Sequence, residues 1–541
     1  MNVSTNALAQ ALGLPPSELA RLIAAAQVAD TADCAALFGG DIISRRELDM
    51  VTGPVSLAKP AAPKTYDLHE LGNSARLVDR HGDDIRYVAD LGRWLVWTGE
   101  RWEYDRKDAK LLRLAADAMS ALGDEAAVKF QAAITAESKE ARAEAEGAAK
   151  RVLNWRDRSM SLKALKATIA LAASEPLVQI QSAQLDADPM LLGVTNGVVD
   201  LATGELLPPS REHLITRSAG THYDPAAQAT RWEQFVTEIC NEDAAMAGYL
   251  QRAVGYTLTG SVVEETLFQL LGVGSNGKSK FIAPLLRMFG AYGQKAPVSL
   301  LYDTGRDGGP TTAHMRMHGV RLSWMSEAKE SQRVSEGLLK EITSTEEQVA
   351  RPLYADEVQF SPTHHIWLTT NAPLLILGTD NGIWRRLATV PFKRSFEGAE
   401  KDEHLEAKLL AELPGILSWA VRGCLDYQRQ GLAMPAPMKA YNDECRARMD
   451  SLGTFINEAC ITGGKYKSSL SQFYSAYCAY AEERGEMPPK MRIISERLER
   501  KGYEIRKSST MHIYGLGLLA DKDTQTMSKV QPINRARALP C

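Results

Sequence analysis

A glycine-rich stretch in the middle of the chain, LGVGSNGKSKF at residues 271–281, constrains the fold more than any other feature. The apolar run TLFQLLGVG is typical of a buried strand, and NGKSKFIAPLLRMFG starts a helix. Gly272, Gly277, Lys278 and Ser279 satisfy the spacing G-x-x-x-x-G-K-[ST], which predicts a phosphate-binding loop. A chance match on a glycine-rich turn is the alternative, and the flanking strand and helix favour the phosphate-binding interpretation.

Each residue type in this stretch suits the binding of a nucleotide. The glycines let backbone N–H groups turn towards phosphate oxygens, and the dipole of the helix that follows favours negative charge. Lys278 neutralises phosphate charge, and the Ser279 hydroxyl reaches Mg²⁺. We therefore predict ATP and Mg²⁺ as the ligands. The predicted ATP-binding residues are Gly272, Gly274, Asn276, Gly277, Lys278 and Ser279.

Two later segments supply polar groups that such a loop needs. VRLSWM reads as a strand that ends at Ser326 and Glu327, and HHIWLTTNAPL reads as a second strand that ends at Asn371. Residues at the carboxyl ends of parallel strands lie beside the nucleotide crevice. Glu327 is therefore predicted to orient the attacking water, Ser326 to lie near the metal, and Asn371 to contact the γ-phosphate. A solvated loop acid and a capped turn before Pro373 are the structural alternatives.

A pair of arginines follows in TDNGIWRRLATVPF, just ahead of an apolar run. An arginine at a subunit edge can reach a neighbour's γ-phosphate and stabilise the charge of the transition state. Arg385 and Arg386 are both candidates for this role. A surface ion pair is the alternative interpretation of either residue.

Length and composition limit the class of protein. A chain of 541 residues predicts two to four domains, and its net charge of −4 argues against a uniformly basic surface. The 7 cysteines are scattered and form no Cys-x-x-Cys pair, which favours neither a zinc ribbon nor a disulfide framework. The sequence shows neither a secretory signal nor an apolar run of about 20 residues. We therefore expect a cytoplasmic protein of a bacterial host cell that does not contact a membrane.

The pattern along the chain predicts an α/β fold with several parts. A small helical segment covers 1–52 and a Pro- and Ala-rich linker covers 53–65. An α+β accessory domain is expected at 66–230, the nucleotide-binding core at 231–445, a C-terminal domain at 446–520 and a polar tail at 521–541. Within the accessory domain, IRYV, RWLVW and RWEY predict a strand meander, with Trp94, Trp97 and Trp102 in its core.

The C-terminal domain reads as helix, helix, strand, turn and strand. Its first helix, SLSQFYSAYCAYAEERG, has an apolar face, and PPKMRIISERLERKG gives the second. This outline is winged-helix-like, and the second helix of such a domain can enter a DNA major groove. A solvated helix with ordinary ion pairs, or a surface that docks a partner protein, is the alternative. The predicted DNA contacts here are Arg492, Arg497, Arg500 and Lys501.

Taken together, these blocks resemble the helicase part of phage and plasmid primase–helicases, which are superfamily 3 helicases within the AAA+ ATPases. The resemblance runs from about Leu71 to Leu518 and includes VTNGVVDLATGELLPPSREHLIT, YLQRAVGYTLTG, LLGVGSNGKSKF, MSEAKE and FSPTHHIWLTTNAPLLILGTDNGIWRRL. It implies an AAA+ P-loop ATPase core and a homo-oligomeric ring, usually a hexamer. ATP bound between subunits would drive channel loops along single-stranded DNA, so that forked DNA is unwound.

The sequence departs from the family in two respects. A Gly-Gly-Asp turn that relatives often carry is replaced by Ser344, Thr345 and Glu346, and the tip of the hairpin PLYADEVQF is acidic. Because an acidic tip repels phosphate, Lys340 and Arg351 are the predicted DNA contacts in its place. About 65 residues precede the matching region, and a primase domain needs more than 100. Primase activity in this chain is therefore expected to be absent, and a separate primase or polymerase is a possible partner.

Two other functions remain open at this point. The first is an origin-binding replication initiator whose ATPase acts as a switch with little unwinding. The second is a scaffold that binds ATP but hardly hydrolyses it, against which the complete set of predicted catalytic residues argues.

Overall fold

The chain is described here from a computed structural model, which covers residues 66–302, 314, 316–326, 333–350, 358–376, 381–484, 488–507 and 510–519. The predicted segments 1–52, 53–65 and 521–541 lie outside the described residues. The chain divides into two units, Met1–Asn73 and Ser74–Cys541, and the account below concerns the second together with the start of the helix that leads into it. In the parts of the chain covered by the structure, no helix is both long and apolar enough to cross a bilayer.

The accessory region begins with a small sheet. Three antiparallel strands confirm the predicted meander, and a short fourth strand pairs in parallel with the first, in the order β3-β2-β1-β4. Trp94 and Trp102 are buried as predicted, whereas Trp97 is half-buried and packs edge-on against Trp102. The strands are β1 (Ile85–Val88), β2 (Arg93–Trp97), β3 (Trp102–Tyr104) and β4 (Gln179–Ile180).

Helices and a second sheet complete this region. Residues 109–172 are mostly helical, as expected for a stretch rich in alanine, glutamate, lysine and arginine. The helices are α1 (Glu70–His81), α2 (Ala109–Ser120), α3 (Leu122–Ile134), α4 (Lys139–Ser159) and α5 (Leu162–Ala172). The Asn196-Gly197 turn joins two antiparallel strands, as is typical of an Asn-Gly pair between apolar runs. The sheet contains β5 (Leu191–Val194), β6 (Gly197–Asp200) and β7 (Glu205–Leu207).

A five-stranded sheet lies at the centre of the fold, in the order β14-β8-β13-β10-β9, and each neighbouring pair is parallel. Every residue of the β8 and β13 segments is buried, as expected for strands covered on both faces. The strands are β8 (Leu267–Leu271), β9 (Gly293–Lys295), β10 (Leu322–Ser326), β13 (His365–Thr370) and β14 (Leu387–Pro391). The strands predicted before the glycine-rich stretch, at VRLSWM and at HHIWLTTNAPL are therefore confirmed.

Helices pack around this sheet and enclose two apolar cores, of which the larger contains Trp232, Phe281 and Trp419. Trp232 stacks on Phe281 with ring centroids 5.2 Å apart and meets Trp419 edge-on at 5.5 Å. The helices are α6 (Thr230–Ile239), α7 (Ala244–Leu258), α8 (Lys278–Phe289), α9 (Glu336–Ile342), α10 (Asn381–Trp384), α11 (Leu405–Ala411), α12 (Leu413–Gln430) and α13 (Ala436–Met449). The last of these spans the predicted boundary at 445 and covers the free edge of β14, where the Asn442 amide bonds both backbone groups of Thr389 at 3.0 Å.

A short antiparallel pair follows α9. It consists of β11 (Gln348–Ala350) and β12 (Val358–Phe360). The predicted hairpin therefore starts upstream of PLYADEVQF, at Gln348. Its predicted tip, Ala355 to Glu357, lies outside the described residues, as does Arg351.

The C-terminal region has its own core, and its elements follow the predicted order with two additions. The predicted helices and strands are α15 (Leu470–Glu483), α16 (Met491–Arg500), β16 (Glu504–Lys507) and β17 (Met511–Leu518). The additions, which the sequence did not predict, are α14 (Ser451–Ala459) and β15 (Cys460–Ser469). β15 joins the sheet in the order β15-β17-β16. Phe473, Ile494 and Ile513 are fully buried between the helices and this sheet.

Helices α7 and α12 approach so closely that a glycine is required at their crossing. A Cβ atom on Gly255 would lie 2.1 Å from the backbone nitrogen of Cys424 and 2.3 Å from the carbonyl carbon of Gly423. We expect Gly255→Ala to lower the free energy of unfolding by about 2–3 kcal/mol through overpacking, despite the higher helix propensity of alanine. Gly248→Ala in the same helix meets only Arg252 Nη1 at 3.3 Å and is the control. Equal melting temperatures of the two variants would contradict this packing.

Two buried histidines at the start of β13 make the fold sensitive to acid. Burial lowers the pKa of His364 to about 4 and that of His365 to about 3. Their Nε2 atoms lie 3.1 Å from the carbonyl oxygens of Ile342 and Thr259, to which a neutral ring donates. In the unfolded state both histidines regain a pKa of about 6.5, so below that pH the unfolded state binds more protons than the folded state. Their contribution to the free energy of unfolding is therefore fully present above about pH 6.5. It is lost as the pH falls towards the pKa values of the folded state.

The expected loss is about 2 kcal/mol per histidine at pH 5. Melting temperatures measured between pH 5 and 8 report this loss. In His365→Gln the melting temperature should depend less steeply on pH, because one of the two titrating histidines is gone. An unchanged slope in His365→Gln would show that this histidine is not the source.

Candidate functional site

The glycine-rich loop, defined here as residues 272–277, connects β8 to α8. It lies at the point where the chain order of the strands reverses across the sheet. The strand after β8 in the chain, β9, lies at the far edge of the sheet, whereas β14 lies on the other side of β8. In open α/β sheets, the crevice outside the carboxyl ends of the strands at such a switch point is the usual ligand site. The predicted loop therefore occupies the position where this fold class binds ligands.

The backbone of the loop requires its glycines. A Cβ atom on Gly272 would lie 2.0 Å from Asn276 Nδ2, and Gly277, at φ +84°, would place a Cβ 2.7 Å from a methyl group of Ile239. Gly274 also has positive φ, at +61°. Gly277 immediately precedes α8 and carries no capping side chain, so the first-turn N–H groups of the helix remain available to an anion.

Lys278, the first residue of α8, is buried and points back across the loop. Its Nζ donates to the Gly272 carbonyl at 2.5 Å, to Asn276 Oδ1 at 2.8 Å and to Asn371 Oδ1 at 3.4 Å. Burial lowers the pKa of this ammonium group. A phosphate group beside it would favour the charged form, because an opposite charge compensates for lost solvation. The geometry therefore suits Lys278 to an anionic ligand.

The structure brings several other predicted residues to the same edge of the sheet. Asn371 follows the carboxyl end of β13, is exposed and contacts Lys278, as described above. Ser279 is exposed in the first turn of α8. Ser326 ends β10 in register with Thr369 of β13. Glu327, the next residue in the chain, lies outside the described residues, so its predicted role stays a prediction.

A buried polar row beneath the loop was missed by the sequence reasoning. Gln269 of β8 is fully buried, and its Nε2 donates to Thr370 Oγ1 at 2.9 Å. Its Oε1 accepts from Thr389 Oγ1 of β14 at 3.0 Å. The row links three adjacent strands, β14, β8 and β13, and a buried amide with satisfied partners specifies one arrangement of them. A glutamine inside the apolar run TLFQLLGVG was the available sequence signal.

The two predicted arginines lie at the opposite edge of the sheet. They precede β14, and the Leu267 N–H at the start of β8 donates to the Arg386 carbonyl at 2.7 Å. Five strand residues therefore separate them from the loop of the same subunit, which corresponds to about 16 Å. Arg385 and Arg386 consequently do not meet Lys278 within one chain.

The predicted DNA contacts are scattered over two regions. The Arg492 side chain is 88% exposed on α16, with Glu496 3.8 Å away, and Arg500 is exposed on the same helix. Arg497 is half-buried, and Lys501 forms an ion pair with Asp450 at the start of α14. Lys340 is half-buried on α9. Arg492 and Arg500 are thus the more accessible cations of the C-terminal set.

Comparison with known proteins gives a family match and several relatives. Residues 74–241 match the family described as "D5 N terminal like". The protein named "Putative helicase" from Acanthamoeba polyphaga mimivirus is 26% identical over 310 residues, which are 53% of this chain and 32% of that protein. The protein named "Putative primase" from African swine fever virus is 28% identical over 214 residues, or 38% of this chain and 22% of that protein.

The chain therefore spans about a third or less of the length of these curated relatives. Among solved structures, the C-terminal region of NrS-1 in its apo form aligns with 83% of this chain and 99% of that chain, at 11% identity and a TM-score of 0.46. The sequence matches show that part of this chain is similar to viral proteins named as helicases and primases.

Proposed function

We propose that this chain is an ATP-dependent DNA helicase of a phage, plasmid or integrated element. In this proposal, the central sheet is the P-loop ATPase core of a superfamily 3, AAA+ helicase. The observation that carries it is the contact of the buried Lys278 ammonium group with both the glycine-rich loop and Asn371. A cation held between the carboxyl ends of two parallel strands is the arrangement that binding of a nucleotide γ-phosphate requires.

The loop residues would bind the phosphates of ATP. Backbone N–H groups at the start of α8 face the phosphates, and Lys278 supplies the positive charge. Ser279 is free of the core and presents its hydroxyl where the motif places Mg²⁺. With Ser326 at the neighbouring strand end, the donor set consists of oxygen atoms, which is the ligand chemistry that Mg²⁺ prefers.

Hydrolysis requires a group that activates water. Glu327 is proposed to orient the attacking water, and Asn371 to hydrogen-bond the γ-phosphate through its side-chain amide. One of Arg385 and Arg386 would complete the site of a neighbouring subunit, because both lie at the sheet edge remote from their own loop. This arrangement supports a ring, proposed to be a hexamer, with ATP between subunits.

DNA contact is proposed for two surfaces. The C-terminal elements follow the order of a winged helix, and the exposed Arg492 and Arg500 lie on the helix that would face DNA. Lys340 and Arg351 would contact the single strand in the ring channel. Only two of the predicted basic residues on α16 are exposed, which is a small surface for gripping DNA. An initiator that marks an origin without processive unwinding is therefore retained as the second candidate function.

Primase activity is proposed to reside elsewhere. A separate primase or polymerase would then act with the helicase during replication.

A direct test is ATP hydrolysis with and without single-stranded DNA. The helicase proposal predicts Mg²⁺-dependent hydrolysis that DNA stimulates, together with a particle of about six subunit masses by mass photometry in the presence of a non-hydrolysable ATP analogue. A monomer whose rate of ATP hydrolysis is unchanged by single-stranded DNA would contradict the helicase proposal.

A further inference from the structure

The sheet of the C-terminal region, in the order β15-β17-β16, has two different faces. Ile513 of β17 is fully buried against the helices, so its neighbour Tyr514 lies on the other face, because successive side chains of a strand alternate. Residues paired directly across neighbouring strands share a face. This second face, called here the outer sheet face, therefore includes the paired positions Lys467, Ser469, Glu504, Arg506, His512 and Tyr514.

The outer sheet face is accessible to solvent. The side chains of Arg506 and Glu504 are 60% and 54% exposed, and Tyr514 and Lys467 are half-buried. Tyr514 lies at the centre, because it pairs with Lys467 on one side and with Glu504 on the other. The Arg506 guanidinium group lies 5.8 Å from the centroid of the Tyr514 ring. An aromatic ring therefore lies among charged side chains at the surface rather than within the apolar core.

A bulge at the edge of the sheet extends this face. Residues 463–466 of β15 lie opposite the single residue Gly515 of β17, so the edge strand bulges there. Lys465 in this bulge is exposed, and its Nζ lies 5.5 Å from the ring centroid of Tyr466. A second aromatic ring with a cation therefore lies next to Lys467, at the border of the outer sheet face.

The balance of charge distinguishes this face from the helical side of the region. The outer sheet face and the bulge carry three cations and one carboxylate, so their net charge is +2 with a neutral histidine; these charged residues are Lys465, Lys467, Arg506 and Glu504. On the helical side, α15 ends in two exposed glutamates and α16 carries two more. An anionic ligand is therefore favoured on the sheet side rather than on the helical side.

We propose that the outer sheet face and its bulge bind single-stranded nucleic acid, with Tyr514 and Tyr466 stacking on bases and Lys465 and Lys467 contacting phosphates. Unpaired bases stack on exposed aromatic rings, whereas each base of a duplex is covered by its neighbours. Duplex recognition uses an element that enters a groove, and this face presents a sheet instead. The site is separate from the arginines of α16, because the apolar core of the region lies between α16 and the sheet.

The cations beside the two rings can make room for a base. Arg506 is 60% exposed and Lys465 is exposed, and contacts of exposed cations with rings or carboxylates contribute little to stability. A base can therefore take the face of a ring while the cation turns towards the phosphate backbone. The combination of stacking rings and nearby cations is the chemistry that binds single strands with little sequence preference.

Substitution of the central ring tests the site in the full chain, in the absence of ATP. Tyr514→Ala should weaken the binding of a fluorescent oligothymidylate of about 15 nucleotides roughly tenfold, because one stacked base is lost. Tyr514→Phe keeps the ring and should bind within about twofold of the wild type. Fluorescence anisotropy measures the affinities, and melting temperatures establish that both variants are folded.

The salt dependence of binding tests the phosphate contacts separately. Lys467→Ala should reduce the slope of log affinity against log salt concentration by about 0.7, the share of one phosphate contact on a single strand. Lys439→Ala removes the same charge from an exposed position on α13 and should leave the slope unchanged. Equal slopes for the two variants would overturn the assignment of Lys467.

Photocrosslinking identifies where the strand lies on the chain. An oligothymidylate that carries 5-iodouracil should crosslink to Tyr514 or Tyr466, as mass spectrometry of the peptides would show. Wild-type affinity of folded Tyr514→Ala, or crosslinks that all lie outside residues 460–518, would overturn the proposal. A loss of affinity for duplex alone would also overturn it and would make this face a duplex contact. Because ATP is absent, the result does not depend on whether Lys278 supports hydrolysis.

Discussion

Lys278→Ala is expected to lower ATP hydrolysis by on the order of 10³-fold and to abolish tight nucleotide binding. The ammonium group is the buried cation of the glycine-rich loop, with Gly272 O at 2.5 Å and Asn276 Oδ1 at 2.8 Å. Loss of one preorganised donor to developing charge typically costs 10²–10³ in rate, and loss of a full charge costs at least as much. Steady-state hydrolysis and the binding of a fluorescent ATP analogue measure the two effects.

Lys280→Ala is the matched control for this variant. Lys280 lies in the same helical turn, is 45% exposed and pairs with Glu406 rather than with the loop. It should retain hydrolysis within about twofold, because surface ion pairs contribute little. If Lys278→Ala and Lys280→Ala hydrolysed ATP at comparable rates, the proposal that the loop binds phosphate would be contradicted.

Glu327→Gln is expected to separate binding from turnover. The amide preserves the size of the side chain but cannot activate water, so kcat should fall by on the order of 10²–10⁴ while ATP still binds. Glu330→Gln, three residues later, is the control and should hydrolyse ATP normally. Rapid filtration with radiolabelled ATP, followed by single-turnover kinetics, distinguishes the bound state from the hydrolysed one.

Normal turnover by Glu327→Gln would assign the water-orienting role to another residue. Failure of this variant to bind ATP would instead place Glu327 in the binding of the metal rather than in the activation of water.

Local patterns in the sequence predicted the elements that carry the site. The apolar run before Gly272 is β8, and the helix begins at Lys278, because the motif itself records the change from strand to glycine turn to helix. Strand order was not predictable from the same signals. Placing β13 between β8 and β10 depends on contacts between residues about 100 positions apart, such as Gln269 with Thr370.

Other features were not predicted because their sequence patterns are weak. β15 reads CITGGKYKSS, in which two adjacent glycines and several polar residues hide the period of a strand, and its register shifts between Thr462 and Lys467. Glu265 sits in an acidic loop and looks like a solvated residue. Its pairing with Arg386, 121 positions later, follows only from the parallel pairing of β8 and β14.

The central claim is that ATP hydrolysis at the glycine-rich loop drives separation of DNA strands. Unwinding of a forked duplex with a fluorophore and quencher at its end tests it most directly, with Lys278→Ala as the control. The account predicts ATP-dependent strand separation by the wild type and none by the variant. Hydrolysis that DNA stimulates without any strand separation would contradict it and favour the origin-binding initiator.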